Sequence, residues 1–216
     1  MDVRKPGERI AMKVLMINGS PHPKGCIATA LAIAGEEFAA AGVEYEIVQV
    51  GNKDVRGCIA CGSCAKTGKC TFDDIVNECA PKLAEADGLI IGSPVYYGGP
   101  NGTVLSFMQR LFYSTTADLR MKVGASIVSC RRGGNSATFE ALNQFFGISG
   151  MPTVPSTYWN DVHGFSADDV YADEEGVQTV RNLARNMVFM MRSIADGAEA
   201  YGIPVRNKEI FTNFIR

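Results

Sequence analysis

Four of the seven cysteines in this 216-residue chain, Cys58, Cys61, Cys64 and Cys70, fall within thirteen residues as C-x2-C-x2-C-x5-C. Thiolates two residues apart converge on one point when the chain between them curls, and three in series with a fourth nearby match the ligand run of iron–sulfur proteins. Zinc more often draws its ligands from two separated pairs, so the spacing suits it less well. Gly57, Gly62 and Gly68 let the backbone approach the sulfurs closely. The same thiols equally allow a redox disulfide, adventitious zinc or an empty remnant: spacing expresses ligand capacity, not occupancy. An odd count, clustered rather than spread, argues against an extracellular disulfide framework. Cys79 and Cys130 read as small buried hydrophobes.

Three further segments carry chemistry. Gly19-Ser20-Pro21-His22-Pro23-Lys24-Gly25-Cys26 leads into a helix, and free N–H groups at a helix start, with Ser20, Lys24 and a possible donor in His22, make an anion pocket. It is neither a P-loop nor GxGxxG, which counts against nucleoside triphosphates and Rossmann-type dinucleotides. Ser93 to Pro100 offers Tyr96 and Tyr97 beside Gly98 and Gly99, a surface suited to a flat ring system. Ser129-Cys130-Arg131-Arg132-Gly133-Gly134-Asn135 brings two guanidiniums that suit a phosphate or a negative ring, and that would otherwise be solvated surface.

The elements that position these segments read as alternating strands and helices. Residues 13–17 (KVLMI) form a buried strand, 28–41 a helix ended by Gly42, and 43–50 a strand with one exposed face. The cysteine loop spans about 51–72. A helix follows from the acidic pair Asp73-Asp74 to about 86 with Pro81 inside it, then a strand over 88–93 and a helix over 103–113. Strand 123–130, helix 136–147, strand 153–159 and a long helix over 173–200 complete the pattern, the last placing Val177, Val180, Leu183, Met187, Met190 and Ile194 on one stripe. Nearly continuous apolar strands between helices imply an α/β fold, a doubly wound five-stranded parallel sheet with helices on both faces. Residues 1–11 read as a loose N-terminal arm, and 12–216 as one domain. In such a sheet ligands collect outside the carboxyl ends of the strands, where all three loops lie.

Composition bounds the function. Hydrophobic residues are 46% and charged residues 20%, with a formal charge of -2. This is globular composition with no basic footprint for nucleic acid or membrane surface. No apolar run approaches the roughly 18 residues of a membrane span, and residues 12–17 are too short for a signal-peptide core. The expectation is a cytoplasmic protein.

Together, NGSPHPKG, SPVYYGGP, SCRRGG, RGCIACGSC with the following GKC, and YWNDVHG resemble the NAD(P)H-dependent FMN reductases of flavodoxin-like fold, and more closely their cysteine-bearing branch, the iron–sulfur flavoproteins. The resemblance covers about residues 12–200. It implies FMN, with Ser20, His22, Lys24, Gly25, Cys26 and Ile27 at the phosphate. Pro94, Val95, Tyr96, Tyr97 and Gly98 would lie against the ring, and Ser129, Arg131, Gly133 and Gly134 at its pyrimidine edge. It further implies redox chemistry at flavin N5, NAD(P)H as donor, a four-iron four-sulfur cluster on the four cysteines, and a homodimer or homotetramer. The acceptor would be a small molecule such as free flavin or quinone, or a ferredoxin-like protein. Two positions depart from the family pattern. His22 stands where many relatives have Arg, and Ile27, where they have a hydroxyl, has no side-chain donor, so backbone N–H groups, Lys24 or Thr29 must compensate. Trp159, Asn160 and His163 fall near the flavin or a subunit contact in related proteins, and His163 reads as structural; hydride transfer to flavin needs no acid–base residue.

Overall fold

The computed structural model describes residues 11–207 together with 210, 212 and 214. The expected N-terminal arm falls almost wholly on residues 1–10, outside the described residues. In chain order the elements are β1 (Lys13–Asn18), α1 (Cys26–Ala40), β2 (Glu44–Gln49), α2 (Ser63–Thr67), α3 (Ile75–Glu85), β3 (Gly88–Tyr96), β4 (Gly99–Pro100), α4 (Gly102–Ser114), β5 (Val123–Cys130), α5 (Asn135–Ile148), β6 (Asp161–His163), α6 (Ala167–Ala172) and α7 (Glu174–Tyr201).

Five strands pair in parallel in the order β2-β1-β3-β5-β6, and β4 adds an antiparallel hairpin to the end of β3. The chain winds outward in both directions from β1, so β1 and β3 flank the switch point. Alternation along β1 sorts the core: Val14 and Met16 face α1 and α7, whereas Leu15 and Ile17 face α3 and α4. Burial on both sides explains the unbroken apolar runs of β1, β3 and β5.

The structure differs from the sequence reading in three places. The expected strand at 153–159 is only one bridge, Gly124 with Thr153. Pro152 has no N–H to donate for the preceding rung, and the fifth parallel strand forms later at Asp161–His163. β2 is an edge strand, and Glu44, Tyr45 and Ile47 are all exposed rather than one face alone. As expected, α3 runs through Pro81 to Glu85. The cysteine loop contains a short helix, α2, and a further helix, α6, opens at Ser166 with a capping box to Asp169.

Candidate functional site

The loop after β1 is held by side-chain amides. Asn18 Oδ1 accepts from Ser20 N (3.0 Å), Asn18 Nδ2 donates to Gln49 Oε1 (2.6 Å), and Gln49 Nε2 donates to the Ser20 carbonyl (2.6 Å). Asn101, the N-cap of α4, donates to the Gly19 carbonyl (2.7 Å) while its own N–H bonds Ser93 Oγ (3.0 Å). The loop after β1 and the loop after β3 are thereby tied together. A Cβ on Gly51 would sit 2.2 Å from the Gly19 carbonyl oxygen, so this backbone crossing requires glycine. The loop ends at Gly25, the N-cap of α1, where no side chain caps the helix and the first turn carries no acid. The first-turn N–H groups and the positive end of the helix dipole are left for an anion.

These loops enclose a cleft of about 660 Å³ at the carboxyl edge of the sheet. Ser20, His22, Lys24, Gly25 and Cys26 line it from the first loop, Pro94, Val95 and Tyr96 from the second, and Ser129, Cys130 and Arg131 from the third. The remaining sequence candidates lie elsewhere. Ile27 is 1% exposed and packs where a Cβ on Gly92 would lie, so it can offer the cleft only its backbone. Thr29 does not compensate for it, because its hydroxyl bonds the Gly25 carbonyl (3.2 Å). Tyr97 points into solvent at φ +50° beside Gly98 at φ +83°, which form the tip of the β3–β4 hairpin. Gly133 and Gly134 also stand off the cleft. A Cβ on Gly134 would meet Val95 and Gly98 at 2.8 and 2.9 Å, so this glycine lets the third loop pack on the second.

A fourth wall was not foreseen: Gly164, Phe165, Ser166 and Ala167, with Pro23 completing the first loop. Cys26 Sγ donates to the Ser166 carbonyl (3.3 Å), Gly164 N donates to the Cys130 carbonyl (3.2 Å), and the Arg131 guanidinium lies 5.6 Å from the Phe165 ring centre. The S-x-x-D pattern of Ser166 and Asp169 was the available sequence signal for this turn. Burial pushes up the thiols of Cys26 and Cys130, the latter helped by the Asp161 carboxylate, so both stay protonated near neutrality and serve as wall rather than nucleophile. His163 stays outside the cleft with Nδ1 3.4 Å from Asp173. Tyr158 and Trp159 pack edge to face at 4.6 Å, and Asn160 is buried, accepting from Ser156 Oγ (2.6 Å).

The donor set of the cleft suits FMN: an uncapped helix start with unmet N–H groups, the aromatic and apolar surface of Tyr96 and Pro94, and the cation of Arg131. The cysteine loop leaves β2 at the same edge. Cys58 and Cys61 are exposed and Cys64 and Cys70 half-buried, and all seven cysteines are free. Ala60, Gly62 and Gly68 adopt positive φ and curl the loop. Among the described residues no three of His, Cys, Asp or Glu come together closely enough to hold a metal ion. The donor set itself, four thiols on a curled loop, has the chemistry for an iron–sulfur cluster, and Cys58, Cys61 and Cys64 must draw in towards Cys70 to hold one.

Comparison with known proteins follows the same lines. The family model described as NADPH-dependent FMN reductase matches residues 12–165. An iron–sulfur flavoprotein of Methanocaldococcus jannaschii is 34% identical over 191 residues, covering 85% of this chain and 99% of the relative. Among solved structures, RosB with bound 8-demethyl-8-formylriboflavin-5'-phosphate superposes with a TM-score of 0.68 at 15% identity, over 95% of this chain and 94% of that one. An archaeal flavodoxin gives 0.58 at 14% identity, over 84% and 99%. The fold is flavodoxin-like, and the chain belongs to the NADPH-dependent FMN reductase family, in its iron–sulfur flavoprotein branch, which makes it a flavin oxidoreductase or electron carrier.

Proposed function

We propose that this protein is an FMN-dependent oxidoreductase that takes electrons from NAD(P)H and passes them to flavin, quinone or another acceptor. The observation that carries the reading is the cleft at the β1–β3 switch point, which is lined both by an uncapped helix start and by Pro94, Val95 and Tyr96. FMN, when bound, supplies the hydride and electron chemistry; the protein supplies binding, alignment and tuning. The N–H groups opening α1, with Ser20 and Lys24, would hold the phosphate. Pro94, Val95 and Tyr96 would support the ring, and Arg131 would favour its anionic reduced form. Replacement of Arg131 by Ala is expected to lower the flavin potential by about 30 mV, a tenfold change for a two-electron couple. An unchanged potential would remove Arg131 from that role.

A second reading, favoured by the cysteine loop, is an electron carrier in which Cys58, Cys61, Cys64 and Cys70 hold a four-iron cluster beside FMN and a ferredoxin-like protein is the partner. Assembly as a homodimer or homotetramer, in the cytoplasm, accompanies either reading. No helix among the described residues is long and apolar enough to cross a membrane.

An anaerobic spectrum of freshly purified protein, with FMN, iron and sulfide counted per chain, followed by NAD(P)H addition, tests both. Flavin bands bleached rapidly by NAD(P)H establish the reductase. Stoichiometric iron, with reduction only by a ferredoxin, establishes the carrier. Failure to take up FMN on titration would overturn the proposal.

A further inference from the structure

Arg110, on the third turn of α4, is 1% exposed, and a buried arginine is tolerated only when its charge and donors are met. All five of its N–H groups have partners. Nη1 donates to Asp74 Oδ2 (2.7 Å) and the Arg56 carbonyl (3.4 Å), and Nη2 to Asp74 Oδ1 (2.9 Å) and the Phe72 carbonyl (3.2 Å). The fifth donor, Nε, is given to a sulfur, Cys70 Sγ at 3.2 Å. The guanidinium therefore joins residue 56, just before the first cysteine of the loop, to residues 70–74, at and after the last. It closes the neck of the whole loop.

Cys70 is held from a second side. Asn77 Oδ1 accepts from its N–H and Asn77 Nδ2 donates to its carbonyl, both at 3.0 Å. Cys58, by contrast, meets only the N–H of Ala60 at 3.4 Å, on the exposed part of the loop. A neutral thiol is a weak acceptor, whereas a sulfur that carries negative charge is a strong one. Committing a buried cationic donor to Cys70 therefore matches a metal-bound thiolate better than a free thiol. N–H groups directed at ligand sulfurs raise cluster potentials, because the hydrogen bond strengthens as the reduced centre gains negative charge.

We propose that Arg110 is a positioning residue of the cysteine loop: it fixes Cys70 as the pre-set ligand around which Cys58, Cys61 and Cys64 close, and its N–H on that sulfur raises the reduction potential of the centre held there. This inference rests on the cluster reading above. It also makes α4 a mechanical link between the two halves of the site, since Asn101 at its start ties the cleft loops and Arg110 secures the cysteines.

The test is potentiometric titration, read by visible and electron paramagnetic resonance spectra, of anaerobically iron- and sulfide-reconstituted wild type, Arg110→Lys, Asp74→Asn and the double variant Arg110→Gln/Asp74→Asn. Lysine keeps the positive charge but has no N–H at the Nε position. The double variant removes the ion pair as a unit, which leaves no unpaired buried charge. Arg110→Lys and the double variant are expected to keep FMN and to show cluster reduction about tenfold less favourable, about 59 mV for one electron. Asp74→Asn, which retains the N–H on sulfur, is expected not to fall below wild type. A variant that keeps its FMN but loses iron supports the positioning role. Iron-loaded variants with the wild-type potential would overturn this inference alone. Wild type that binds FMN yet takes up no iron would overturn the cluster reading and the inference with it.

Discussion

The thiol of Cys79 and those of Cys58 and Cys61 belong to one short stretch of sequence and to opposite environments. Cys79 lies on the core-facing side of α3, and burial is the main reason its thiol is pushed up to about 12. Cys58 and Cys61 are exposed. In iron-free native protein a thiol reagent followed by peptide mass spectrometry is expected to modify Cys58 and Cys61 first. Cys79 should stay unmodified until the chain unfolds; its modification alongside them would contradict the packing. Side-chain type made these cysteines conspicuous, but only burial separates candidate ligands from filler. Cys26 and Cys130 are likewise buried, and both are wall of the cleft.

Between elements, the close backbone crossing at Gly51 and the helix pair α1–α7 carry the sharpest expectations. With the Gly19 carbonyl 2.2 Å from where its Cβ would lie, Gly51→Ala cannot be relieved by a rotamer change. It is expected to displace the loop after β1, cost on the order of 1–3 kcal/mol and weaken FMN at least tenfold. Equilibrium unfolding and flavin fluorescence titration would read both effects. On the far face Glu37 receives Arg181 at 2.7 Å and Arg185 at 2.8 Å, and these bonds hold its carboxyl below the ordinary value of 4.5. A carboxylate with a depressed folded pKa stabilises above its unfolded value, and the contribution fades as pH falls through the folded one. Glu37→Gln is therefore expected to cost roughly 1 kcal/mol at pH 7, with the gap to wild type closing below about pH 4.5 in acid unfolding. A gap that persists into acid would assign the loss to packing instead.

At the scale of the whole molecule, a ligand that bridges the ends of β1, β3 and β5 couples to global stability by mass action. At one hundred times its dissociation constant FMN is expected to add about 2.7 kcal/mol, or about 5–10 °C in Tm for a chain of this size. Calorimetry with and without FMN measures it, and an unshifted transition would sink the cleft as a native-state site. The fold was legible because the unbroken strands, the helix periods and the loop chemistry of residues 19–26 and 93–100 are local signals. They set the α/β class and the edge of the sheet at which the three loops gather. Other features depended on which backbone meets which, and no local pattern encodes that. The strand expected at 153–159 stopped at one bridge beside Pro152, while Asp161–His163 paired with β5. Gly134 became a packing position because Val95 lies against it, and Phe165 came to the cleft from thirty residues past the third loop. Arg110 showed nothing in the sequence beyond a cation on a helix. Only folding α4 against the cysteine loop buries it, and only burial makes each of its five donors seek a partner.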